Sequence, residues 1–262
     1  MFVTGASAML FLVEELAGRE GSDRGGPRRI ITNFVLYGCS LGVVAILALA
    51  APSLVVSRPL IPGFGVSAWI PMPWIAGLLT LFLIHSFLEY WLHRASHHVT
   101  VLWRFHAVHH CDSSVDVSTA IRHHPLEVLP AIGIQMASII LCAASLGQAT
   151  VLAVANAVWE LATHAAIGRT SVRFPRALSF IVSPAFHRLH HSCDVRQTNS
   201  NYANAFAVWD SLFGTACDPS QERARSVGLG PRYRSDDKLG MQLTLPFRRQ
   251  FPPTAALTTT TS

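Results

Sequence analysis

The sequence predicts an all-α polytopic membrane protein, with about four transmembrane helices and a helical cap on one membrane face that carries three histidine boxes. Three observations lead there. Half of the 262 residues are hydrophobic and 13% are charged, against about 25% charged in an ordinary soluble domain. Four apolar stretches approach the ~20 residues a helix needs to cross a bilayer core. If all four span, nineteen of the twenty Lys and Arg residues fall on one side, which the positive-inside rule makes cytoplasmic.

Residues 1–29 read as an N-terminal interfacial or linker segment. Met9–Leu16 is apolar with two glutamates, and residues 17–29 are rich in Gly, Arg and Asp. The first span is Ile30–Val56, almost without charge, and the second is Pro73–Trp91, apolar until Glu89. No proline and a single glycine, Gly77, lie between Ile75 and His98, so this helix can run on past the bilayer. The third span, Leu126–Leu146, carries Glu127 at its start, and the fourth, Ala149–Ile167, carries Glu160 near its end. Residues 30–250 form one domain, and 251–262, Pro-Pro then Thr-rich, read as a disordered tail. The five cysteines are scattered without a CxxC pair, which argues against a disulfide framework.

Eight of the thirteen histidines fall into three boxes: His93-x3-His97, His106-x2-His109-His110 and His187-x2-His190-His191. Residues three and four apart share a helix face, so each box can present its rings together. His85, Glu89, His93 and His97 form one stripe on the second helix. A catalytic zinc takes three protein ligands and a structural zinc four. Eight imidazoles therefore exceed one ion and suit two, each with an open position. Imidazole binds Zn, Cu, Fe and Ni; redox chemistry needs Fe or Cu, and the donor set alone does not choose.

Outside the boxes, His164 lies near the end of the fourth span with Glu160 one turn deeper, and it reads as a ninth ligand. Glu160 either ligates or orients His164. His124 is a ligand, a hydrogen-bond partner of a ligand or an N-cap contact. Glu89 and Asp210 are candidates to ligate or to orient a ligating imidazole. His85 reads as a buried hydrogen-bonded side chain, and His98 and His123 as facing water. No catalytic residue beyond the metal site, and no cofactor-binding motif for a nucleotide, haem c or iron–sulfur cluster, is present.

The run Glu89-Tyr90-Trp91-Leu92-His93-Arg94-Ala95-Ser96-His97, then Leu102–His110, Arg122-His123-His124-Pro125-Leu126-Glu127, Ser183–His191, Asn201-Tyr202 and Trp209–Thr215 resembles the fatty acid hydroxylase / sterol desaturase superfamily of integral-membrane di-iron enzymes, over roughly residues 80–216. Glu89, Cys111 and Ala203 depart from the common pattern, all outside the ligand set. The resemblance implies two non-haem irons held by the eight boxed histidines with His164, O2 as co-substrate, and a lipid, sterol-like or fatty acyl, as the molecule hydroxylated or desaturated. Phe82, Phe87, Trp91, Trp159 and Phe186 are candidate walls for its channel, although each taken singly reads better as plain helix packing.

Electrons then have to come from a separate reductase or small carrier; Arg169, Arg173, Arg176 and Arg188 either offer it a docking face or contact lipid headgroups. The basic balance (net charge +5) fits anionic headgroups; without an aromatic-basic recognition pattern it gives no ground for a nucleic acid partner. Two other classes use the same imidazoles: a membrane zinc-dependent lipid hydrolase and a non-catalytic metal-binding relative.

Overall fold

A computed structural model describes residues 26–50, 63–166, 180–219, 226–229 and 238–248. The segment before residue 26, the tail 251–262, the end of the first predicted span and three of the four proposed docking arginines (Arg169, Arg173, Arg176) lie outside the described residues. Within them the chain forms ten α-helices and no β-strand.

Three helical segments are long and apolar enough to cross a membrane. The first is α1 (Pro27–Ala50). A four-residue helix, α2 (Val66–Trp69), follows, then α3 (Trp74–His98). At about 1.5 Å per residue, α3 exceeds the ~30 Å hydrocarbon core, so its last turns, with His93 and His97, rise beyond the lipid. Val99 is extended (φ −95°, ψ 114°) and breaks the helix before α4 (Thr100–His110). A short 3₁₀ turn over Pro125–Glu127 leads into α5 (Val128–Cys142), and together these make the third apolar segment.

The turn after α5 comes earlier than the hydrophobicity suggests. Ala143 is left-handed (φ 51°), and Ser145 opens α6 (Leu146–His164) with a reciprocal capping box to Gln148. Satisfying the free N–H groups of α6 this way fixes the helix start at Leu146, inside the third predicted span. Gln148 also donates to the Trp74 carbonyl (2.9 Å), which pins α6 to the first turn of α3. The polar load of α6 (Gln148, Asn156, Glu160) sets it apart from the three apolar segments.

The cap comprises α4, the loop 111–124, α7 (Pro184–His190), α8 (Val195–Thr198), α9 (Val208–Leu212) and α10 (Leu239–Thr244). Two apolar clusters fasten it. Leu36, Trp103, Ala107, Val108, Cys111 and Leu245, with Leu239 and Leu243 packed against them, join α1 to α4, α10 and the turn after it; Tyr90, Val182, Tyr202, Ala203 and Ala207 join α3 to the later cap. Arg29, counted above as a linker charge, is instead fully buried in the first turn of α1, paired with Asp112 (2.7 Å) and Asp116. The helix therefore begins inside the predicted linker, because a buried ion pair and not a charged surface sits there.

Candidate metal centre

All nine histidines proposed as ligands come together, in two groups. His93, His97, His106, His110 and His190 form one; His109, His164, His187 and His191 form the other. Within each group the ring nitrogens offered lie within 4.8 Å of one another. The groups touch: His110 stacks on His191 at 4.7 Å and 21°.

The boxes divide between the groups by helical geometry. At about 100° per residue, positions i and i+4 differ by ~40°, while i+3 falls ~60° to the other side. His106 and His110 accordingly serve the first group and His109 the second. The third box exchanges the roles: His187 and His191 serve the second group and His190 the first. The two HxxHH boxes are thereby interlocked, each lending its middle ring to the other's group.

The tautomers follow from the partners. His93 Nδ1 donates to the Tyr202 carbonyl (2.7 Å), His109 Nδ1 to the Arg122 carbonyl (3.2 Å), His164 Nδ1 to the Glu160 carbonyl (2.7 Å) and His190 Nδ1 to the Ser200 carbonyl (2.7 Å). His106 Nδ1 meets the Glu127 carboxylate at 2.7 Å. A carbonyl cannot donate, so these rings carry their proton on Nδ1 and a lone pair on Nε2. Yet His93 Nε2 lies 3.1 Å from His106 Nε2, and His164 Nε2 3.2 Å from His109 Nε2. Facing lone pairs repel unless a cation lies between them. Two nitrogens bound at right angles to one ion at ~2.1 Å would be about 3.0 Å apart. His190 Nε2 is buried without a hydrogen-bond partner among the described residues. The donor set thus fits two metal ions.

Electrostatics agree. Burial first, then neighbouring imidazoles, pushes His109, His110, His187 and His191 well below the ordinary histidine range. Burial brings His190 down to about 3. The rings are neutral at physiological pH, the form that ligates.

Other candidates fall around the groups. His124 caps the 3₁₀ turn, its Nδ1 accepting from Leu126 N (3.2 Å), and belongs to neither group. Glu89 makes no hydrogen bond or ion pair to a grouped histidine among the described residues: its Oε1 accepts from Asn156 (2.8 Å) beside His85, which bonds Ser138 (3.0 Å). Asp210 acts at one remove, accepting from Tyr202 N and Ala203 N (both 2.8 Å) and so bracing the loop whose carbonyl holds His93. The Glu160 carboxylate contacts His123 (3.3 Å) while its carbonyl holds His164.

His123 does not simply face water. It stacks on His109 (4.5 Å, 7°) and lies between Glu127 and Glu160. Burial alone would lower its pKa, but the two carboxylates more than offset this and hold it well above the ordinary range. Glu127 carried no signal by spacing, because its partner His106 is 21 residues away.

A cavity of about 360 Å³ opens against both groups, reaching His93, His106, His109, His164 and His187. Its apolar wall comes from Leu92, Val128, Ala131, Ile134, Ala157 and Leu161. None of the five candidate wall aromatics lines it, and each packs between elements instead. Phe87 and Trp91 pack with Trp209 and Phe213, Phe82 with the Leu81 cluster, Phe186 with the Tyr90 cluster, and Trp159 donates to the Asn204 carbonyl. Large rings hold helices apart at the periphery, and small residues leave room at the centre.

The chain is 31% identical over 169 residues to an ornithine lipid hydroxylase, OlsE, of Rhizobium tropici (64% of this chain, 49% of the relative). It is 27% identical over 146 residues to human alkylglycerol monooxygenase (55% and 31%). Over 176 residues it is 27% identical to a very-long-chain aldehyde decarbonylase of Oryza sativa subsp. indica (60% and 27%). It thus spans half or less of the length of these curated relatives. No solved structure matches it at comparable significance. The family model for fatty acid hydroxylase matches residues 78–215, more than half of the sequence and every histidine of both groups, and the chain belongs to that family.

Proposed function

We propose that this chain is a membrane oxidoreductase that uses two iron ions and O2 to hydroxylate or desaturate a C–H bond of a lipid. The observation that carries this is the pair of imidazole groups, in contact with each other and both open to one largely apolar cavity. Bound iron would supply O2 reduction. Hydroxylation consumes O2, two electrons and two protons and yields an alcohol and water; desaturation removes two hydrogens and yields two waters. The protein's part is to hold the rings in one tautomer, exclude water and position the chain. The hydroxylase and monooxygenase relatives support a lipid substrate. Electrons come from a separate reductase or small carrier. The metal face is cytoplasmic, since Arg28, Arg94, Arg104, Arg188, Lys238 and Arg248 all belong to that side.

Elemental analysis after native purification should find two irons per chain, with lipid oxidation that stops under argon and without reductant. Zinc at full occupancy with turnover retained under argon would make the protein a lipid hydrolase instead. The cavity has its own test. In Ala157→Phe a phenyl ring enters the pocket away from the ligands. Misplacing a reacting atom by ~1 Å can cost about 100-fold, so turnover should fall at least about tenfold with both irons retained. Unaltered turnover in an iron-replete variant would mean that the lipid reaches the metals by another route.

A further inference from the structure

We propose that Glu127, His123 and Glu160 form a strap that holds the two histidine groups as one dinuclear site, so that full metal occupancy depends on it. The inference rests on the dinuclear reading above. Each link is a short contact between named atoms. Glu127 Oε1 meets His106 Nδ1 of the first group at 2.7 Å, and its Oε2 meets His123 Nδ1 at 3.2 Å. His123 Nε2 reaches Glu160 Oε1 at 3.3 Å. The strap joins the second group twice: the Glu160 carbonyl accepts from His164 Nδ1 (2.7 Å), and the His123 ring lies flat on His109 (4.5 Å, 7°).

Two physical arguments give this arrangement a role. The first concerns the individual ring. His93, His109, His164 and His190 donate to neutral carbonyls, whereas His106 donates to a carboxylate. A carboxylate behind an imidazole raises its basicity and fixes its orientation toward a metal. The second concerns total charge. Imidazole ligands bring no negative charge to offset that of two dications, and in a low-dielectric bundle that charge needs compensation nearby. Glu127 and Glu160 place carboxylates within one side chain of both groups, their charge only partly offset by the His123 imidazole they hold between them. All three strap residues also line the cavity, so the strap forms one wall of the space between metals and substrate.

The experiment uses the full chain in lipid nanodiscs, loaded anaerobically with ferrous iron, dialysed against a weak chelator and analysed for metal. Glu127→Gln keeps an oxygen for His106 but removes the charge. His123→Phe keeps a flat ring on His109 but breaks both links. Loss of partners of this kind typically weakens metal binding about 10–100-fold. Wild type should hold two ions per chain and each variant close to one. Two ions held with wild-type affinity in both variants would overturn the strap, as would a lowered unfolding temperature with both ions retained. Should Glu127→Gln fail to insert, His123→Phe decides alone by the same criterion. A wild-type chain holding fewer than two ions would overturn the dinuclear reading and the strap with it. Two tightly held zinc ions in place of iron, lost on Glu127→Gln, would overturn the oxygenase reading and support the strap.

Discussion

Replacing His190 by Ala should strip one metal ion from the chain and reduce lipid oxidation to background, with the protein still inserted in the membrane. His190 sits on the third box but serves the first group, held by the Ser200 carbonyl and aimed with a bare Nε2 at His93, His97 and His110. Its ring is neutral because burial brings its pKa to about 3, so its loss removes a donor and no charge. Disturbing a partner of a ligand already costs about 10–100-fold in metal affinity, and removing the ligand itself should cost at least about 100-fold. His187→Ala should do the same to the second group, where three donors would remain of four. The prediction is sharper than loss of activity: each variant keeps close to one ion, and the double variant keeps none. Two irons per chain in both single variants would show that these rings do not ligate. Loss of both ions from either single variant would mean that neither group holds its ion without the other.

The clustering of the histidines was legible because helix periodicity is a strong constraint. His93 and His97 had to share a face, as did the rings of each HxxHH box, and the structure gathers all nine. Their division into two interlocked groups lies in the same arithmetic, in the ~100° between the second and third histidines of each box, but it becomes visible only when two helices are brought face to face. His123 and Glu127 were not legible. Each is an ordinary polar residue in or beside the short turn that precedes α5, and its role comes from contacts 14 to 37 residues distant. The helical hairpin was misplaced for a local reason. Apolar residues continue through the turn at Ala143 and Ala144, and the Ser145–Gln148 capping box, which ends the ambiguity, is a hydrogen-bond signal that hydrophobicity does not register. The aromatic side chains pack between helices, the better reading for each of them taken singly, and leave the channel wall to aliphatic residues.

Arg29→Ala should destabilise the protein by about 3–5 kcal/mol, the usual cost of leaving a buried charge without its partner. Arg29 has no exposed surface and faces two carboxylates, Asp112 and Asp116, of which Asp112 also accepts from Asn33 (3.3 Å) and Thr119 (2.9 Å). Removing the guanidinium strands both negative charges against the start of a membrane helix. Lys in its place should recover part of the loss, because one ammonium cannot grip two carboxylates as a planar fork does. Neutralising the partners in Arg29→Met/Asp112→Asn/Asp116→Asn should recover more, since an apolar replacement of a whole buried ion pair is often close to neutral. The damage should not remain local. The loop 111–122 ends in Arg122, whose guanidinium bonds Asn33 (2.8 Å) and the Val108 carbonyl (2.9 Å) and whose own carbonyl holds His109. A loosened first turn of α1 should therefore weaken iron at the second group before the first. Denaturant unfolding in one detergent, followed beside metal content, reads both effects. Equal stability of wild type and Arg29→Ala would mean that this arginine is solvated in the membrane protein and that the loop is held in place by other contacts.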